Sequence, residues 1–406
     1  MGVETRQTRL RQIPYPYRAM LAICSDLDET IDGKTYEEIS RYLNTTESTA
    51  MGEGVGLEVG NTIYFDMPQA QFSYWNTDDE GRSKIRTLIR SGHIDCLHSY
   101  GDLATTRAHA GRALEELSRH SCGLEVWVDH GVAPSNFGPD IMRGSGDVPG
   151  SIAYHADLTY SFGVQYVWMG RVTSVVGQGV PRSLSGIWNP LEPAASFKTI
   201  GKEFAKGLMG GTGSLKYGMH RQNSLVRSTW LRDGHSITEF MRSNPHWGGV
   251  SCGDTGDGLA AVLTKSFLDR LVEREGVCIL YTHLGKKRNS EQPFSHGTKQ
   301  ALGLLASYRD DGKIMVTTTR RLLGYCKAIS EIKYAVRENA ELLSIEIEQD
   351  CPREELAGVS LYVPEVRRAK VKLNGLEIAK LQQNPPDHTG QSCISIPWIP
   401  LDFPDL

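Results

Sequence analysis

The sequence predicts an α/β fold: a βα barrel of seven or eight parallel strands, followed by a small C-terminal β-sandwich-like domain. Three observations carry that expectation. Eight short apolar runs recur along the chain, amphipathic helical stretches separate them, and the patterning turns to alternation after about residue 330. The apolar runs lie at residues 19–26, 62–66, 94–98, 124–129, 165–169, 237–241, 277–282 and 314–318. Runs of this kind suit strands covered on both faces, as strands of a parallel sheet are. Helical periodicity at 82–90, 105–119, 152–162, 258–275, 300–309 and 320–329 supplies the crossovers between them. Eight strands close a complete βα barrel, and seven suit a distorted one.

Two insertions interrupt the alternation. Residues 30–60 hold a short helix at 36–43 and a glycine-rich turn, while residues 173–235 are glycine-rich with little periodicity. Each follows a strand end and is therefore placed to form a wall beside a site there. The expected organisation is a tail over 1–18, the barrel over 19–330 and the β-domain over 331–406. In the last segment Asn374-Gly375 marks a hairpin turn between alternating runs.

Composition narrows the partners. The 406 residues carry 44 basic and 48 acidic side chains, a formal charge of -4, which gives no general attraction to nucleic acid or to an anionic membrane. The N-terminus stays polar through Arg11, and no stretch approaches the roughly 18 apolar residues of a membrane span. A soluble, cytoplasmic protein is expected. The eight cysteines form no CxxC pair, and Cys24, Cys96 and Cys278 fall inside apolar runs, as reduced core residues do.

In a βα barrel the reactive groups project from the C-terminal ends of the strands. Applied here, that rule selects Asp26 and Asp28 after the first run, His98 and Asp102 after the third, Asp129 and His130 after the fourth, Arg171 after the fifth and His283 after the seventh. His98 and Asp102 stand four residues apart, with Gly101 freeing the backbone between them. An aspartate with one or two histidines suits Zn²⁺ or a related divalent ion that keeps an open water position. Such an ion acidifies bound water and polarises a carbonyl, and nearby carboxylate and imidazole groups move the protons. Those parts describe a metal-assisted amide or ester hydrolase.

The same residues carry a resemblance. Ser91-Gly92-His93-Ile94 through His98-Ser99-Tyr100-Gly101-Asp102-Leu103 looks like the metal motif of the NodB-type polysaccharide deacetylases, Ser25-Asp26-Leu27-Asp28 resembles their first motif, and Ile279-Leu280-Tyr281-Thr282-His283 their late Leu-x-His motif. The match in order and spacing runs over about residues 19–329, with similarity confined to these short segments. It implies a divergent member of that superfamily, with Asp26 as general base, Asp28 and His98 as metal ligands and His283 as general acid. It also implies an N-acetylated sugar or other small amide as substrate. Leu27 separates two aspartates that the family has adjacent, so the roles of Asp26 and Asp28 are exchangeable. Asp102 stands where the family has a second histidine, which leaves a carboxylate ligand, His130 in third place, or loss of the metal. The family's Arg-x-Pro motif is replaced by Asp129-His130-Gly131-Val132-Ala133-Pro134.

Each residue has a plainer reading beside this one. Asp26 and Asp28 also suit a turn, Asp102 a helix cap, Arg171 a surface ion pair, and His283 a loop beside Lys286, Lys287 and Arg288. Arg171, Asp129 and Trp247 are expected to bind substrate, Trp247 by stacking on a sugar face. Two rival functions remain: a metal-independent glycoside hydrolase using paired aspartates, and a non-catalytic glycan-binding protein.

Overall fold

The computed structural model describes residues 8–26, 29–246, 252–286, 292–339, 342–349 and 353–406. Asp28 and Trp247 lie outside the described residues. Seven successive buried residues make Ala19–Ser25 a central strand, β2, which follows a short β1 at Arg9–Arg11. Parallel to β2 run β3 (Gly60–Ile63), β4 (Ile94–His98), β5 (Val126–Val128) and β6 (Tyr166–Trp168). The sheet continues with β7 (Val172–Thr173), β8 (Val226–Trp230), β9 (Ser236–Phe240), β10 (Arg242–Ser243), β11 (Val277–Thr282) and β12 (Ile314–Val316).

These form one eleven-stranded sheet in the order β8-β9-β6-β5-β4-β3-β2-β11-β10-β7, with β12 joined to β2. Every pairing is parallel except the β8–β9 hairpin. The sheet is curled and parallel-rich, which confirms the α/β class; among the described residues its strand path does not close into an uninterrupted ladder. Chain 236–243 meets β6 through β9 and β11 through β10, with a break at Met241 between them. At β2 the N-terminal half pairs with β12 and the C-terminal end with β3.

Helices α1 (Gly33–Asn44), α2 (Asp79–Arg90), α3 (Arg107–Arg119) and α4 (Ala156–Phe162) lie between the first strands. Then follow α5 (Pro193–Gly211), α6 (Gly218–Gln222), α7 (Gly256–Val262), α8 (Lys265–Arg274), α9 (His296–Asp310) and α10 (Thr319–Glu331). Their starts follow the capping rule: Asp32, Asp78, Thr255, Thr264 and Ser295 each accept from the backbone amide three residues on. The single helix expected over 258–275 is two, because Thr264 caps a new start at Lys265. The insertion at 173–235, glycine-rich with little periodicity in sequence, holds the 19-residue α5.

The C-terminal segment forms two four-stranded sheets. One consists of β13 (Lys333–Glu338), β14 (Leu343–Glu348), β16 (Ala369–Leu373) and β17 (Leu376–Glu377); the other orders β1, β15 (Ser360–Tyr362), β19 (Cys393–Ser395) and β18 (Gln382–Asn384). Leu343, Ile345, Val371, Leu361 and Ile394 fill the core between them. Asn374 and Gly375 both take positive φ, 48° and 83°, as a tight hairpin requires. Part of the expected tail is therefore structural. β1 pairs with β15, and the buried Arg11 guanidinium donates to Tyr362 Oη and Asp387 Oδ2, both at 3.1 Å. Among the described residues no helix is long and apolar enough to cross a membrane.

Candidate active site

The C-terminal ends of β2, β4, β10 and β11 bring one ionic cluster together. Thr282 pairs with Ser25, and the Asp26 amide donates to the Thr282 carbonyl at 2.8 Å, so Asp26 and His283 leave adjacent strands side by side. The Asp26 carboxylate is fully buried. Its Oδ2 lies 3.2 Å from His98 Nε2 and 3.4 Å from a terminal guanidinium nitrogen of Arg242, whose other terminal nitrogen is 3.5 Å from Oδ1. Burial alone would raise this carboxyl. The charges of His98 and Arg242, the hydrogen bond from His98 and the nearby His283 outweigh it and hold Asp26 at about 2. Arg242, itself fully buried, lies over the rings of Trp168 and Tyr281, 4.2 and 5.0 Å from their centroids.

His98 is set by the loop that follows it. Ser99, Tyr100 and Gly101 all have positive φ, a strained run for the first two residues, and the Asp66 backbone leaves no room for a Cβ at Gly101. The run is locked in place because the Tyr100 carbonyl accepts from the amides of Phe65 and Asp66, while the Tyr100 hydroxyl meets Thr159 Oγ1 at 2.7 Å. Tyr64 stacks on the His98 ring at 4.4 Å, and His130 meets it edge-on at 4.8 Å.

His283 forms a second acid–base pair. Its Nδ1 is 2.9 Å from both the carboxylate and the main-chain oxygen of Asp254, and its Nε2 is 3.0 Å from the Tyr281 hydroxyl. The hydrogen bond from His283, with the charges of His283 and Lys286, holds Asp254 below the usual carboxylate range against partial burial. Lys286 bridges Asp254 to Glu29.

The remaining expected residues are placed as follows. Asp102 pairs with His130 Nδ1 at 2.7 Å, towards solvent, and so reaches His98 only through the His130 ring. Asp129 is buried beneath the rim, accepting from Trp127 Nε1 at 2.7 Å and from the Phe137 amide, so it holds the 130–137 loop rather than facing outward. Arg171 is buried between Asp140 and Glu239, at 2.9 and 2.8 Å. Arg171 meets the cluster through its backbone, its carbonyl accepting from the Arg242 amide at 3.0 Å. Arg242, Asp254, Tyr281 and Tyr64 were absent from the sequence-derived set. The strand-end rule applied to residues 237–241 selects Arg242, the first charged residue after that run; Asp254 has no comparable signal.

A divalent ion needs three or more donors aimed at one point. Among the described residues no three His, Cys, Asp or Glu side chains converge in that way. His98 faces Asp26, and His130 faces Asp102. Asp28, the other expected ligand, lies outside the described residues. No family model matches the chain, and no curated protein matches it in sequence.

Proposed function

We propose that this rim is the active site of a hydrolase that cleaves the acyl–nitrogen bond of a small acetylated substrate, with an N-acetyl sugar the class implied by the NodB-type resemblance. The observation that carries the reading is a fully buried carboxylate held ionised between two histidines and an arginine at adjoining strand ends. Perturbed groups of this kind concentrate where proton transfer is needed.

Roles follow from the partners. At about 2, Asp26 is too weak a base to take a proton from water itself. Its place is behind His98: with Nε2–H donated to Asp26, the imidazole accepts the water proton and the carboxylate stabilises the imidazolium that forms. The hydroxide adds to the acyl carbon. His283, backed by Asp254 at Nδ1, gives a proton to the leaving amine, and acetate and amine are released. The buried Arg242 keeps Asp26 charged throughout. No step here passes through a metal.

The test is release of acetate from N-acetylglucosamine oligomers and simple acetamides by the purified full chain, with metal content measured alongside and turnover repeated after chelation. His98→Ala and His283→Gln are each expected to lower turnover at least about 100-fold with the unfolding transition retained. Absence of acetate release across the panel, or variants as active as the wild type, sinks the reading. Activity lost with a stoichiometric ion would instead return His98 to the ligand role.

A further inference from the structure

Helix α5 is inside out. Its buried residues are the polar Ser196, Thr199 and Glu203, whereas Phe197, Phe204 and Leu208 point outward, 68, 63 and 59 % exposed. The inner face is held by ionic and polar contacts: Glu203 accepts from the Ser174 amide at 3.2 Å and Lys206 Nζ at 3.0 Å. Six of the sixteen large hydrophobic residues exposed among the described residues, Leu191, Phe197, Phe204, Leu208, Met209 and Leu215, fall within these 25 positions. Phe197, Phe204 and Leu208 share one helical face, with the others flanking it, and such a concentration marks a surface that another surface covers.

We propose that α5 packs against α5 of a second copy of this chain, antiparallel, about a two-fold axis passing between residues 202 and 203. Self-complementarity is the argument. In that register Phe197 faces Leu208 of the partner subunit, Phe204 faces Gly201 of the partner subunit, and Ala194 faces Gly211 of the partner subunit. Large side chains therefore meet small or apolar ones at every step, as an isologous interface demands. Gly201 is the hollow that receives Phe204, since a Cβ built on Gly201 has nothing within 4 Å in the isolated chain.

Area and charge agree. At roughly 150–250 Å² per aromatic side chain, Phe197 and Phe204 together offer about 200–300 Å². Leu208 extends the stripe and Leu191, Met209 and Leu215 flank it, an apolar patch of roughly a few hundred Å², the size that marks interaction surfaces. Lys198 is the only charged residue at an exposed position of α5. Lys202 and Lys206 turn inward, to Ser174 Oγ at 2.8 Å and the Val172 carbonyl at 2.9 Å. A helix lying on an anionic bilayer would aim such lysines at headgroups; a protein interface excludes charge from its centre.

The inference stands independently of the reaction. Sedimentation equilibrium of the full chain at tens of micromolar is expected to give twice the 45.0 kDa chain mass. Phe204→Glu is expected to give the monomer mass with an unchanged unfolding midpoint, because the side chain is exposed. Gly201→Phe, which fits the isolated chain and adds apolar surface, is also expected to give monomer because it fills the hollow. A wild-type monomer, or a dimer that survives both substitutions, overturns the proposal. So does a monomeric wild type that pellets with phosphatidylserine vesicles as readily as Gly201→Phe does, which would assign the face to lipid.

Discussion

Asp26 and Asp129 both follow strands of the same sheet, both are fully buried, and their carboxyl pKa values are shifted in opposite directions. Asp26 has two imidazoles and a guanidinium around it and is held at about 2. Asp129 has the Trp127 indole and the Phe137 amide, with only acidic groups, Asp147 and Glu239, adding charge; burial drives its carboxyl well above the ordinary range. Equal burial thus accompanies a lowered carboxyl pKa in one place and a raised one in the other. The arriving charges decide the difference, because desolvation acts alike on both. A strand-end aspartate is therefore a reactive candidate only once its neighbours are known.

The largest expected effect follows from stripping Asp26 of its cation. Arg242→Met leaves a buried carboxylate undercompensated and should cost about 3–5 kcal/mol, read as a fall in the urea midpoint. Adding Asp26→Asn to that variant should restore much of the loss. If Arg242→Met unfolds at the wild-type midpoint, charge compensation is not what holds Asp26. A smaller effect separates the two aspartates directly. At pH 7 Asp26→Asn should cost about 1–3 kcal/mol, since it breaks charge-assisted bonds, while Asp129→Asn, at a carboxyl that burial pushes up, should stay within about 1 kcal/mol. Equal losses would erase the contrast.

The smallest expected effect lies in the pH dependence, where the two residues have opposite signs. The folded value of Asp26 is depressed, so its stabilisation is present above the unfolded value near 4 and is lost as pH falls towards about 2. Asp129 is raised, so its favourable contribution belongs to low pH and is lost as pH climbs through its folded value. Unfolding of Asp129→Asn followed across pH should therefore show a relative gain on the alkaline side. A parallel pair of wild-type and Asp129→Asn curves would count against the raised value.

Much of the frame was legible in the chain. The runs at 94–98 and 277–282 match β4 and β11 at both ends, because buried parallel strands are continuous apolar segments bounded by turns. The rim was legible for the same reason: Asp26, His98 and His283 each come within one residue of a strand end. Partner choice was not. Asp102 and His98 look like one ligand pair at four-residue spacing, yet three successive positive-φ residues turn the chain so that one meets His130 and the other Asp26. Arg171 and Arg242 stand in similar local contexts, and only the packing of β10 against β11 brings Arg242 to the carboxylate. Helix α5 was not legible in the chain, because Gly201, Gly207, Gly210 and Gly211 weaken its helical signal.

By itself the sequence determined the α/β class and placed Asp26, His98 and His283 at strand ends, since these depend on local periodicity and turn chemistry. The tertiary structure alone decided how the sheet curls, which aspartate stays charged, and that a polar face of α5 is buried while its phenylalanines are exposed. Those outcomes depend on distances between residues far apart in the chain, and the energy of a buried charge is set by what lies within a few ångströms of it.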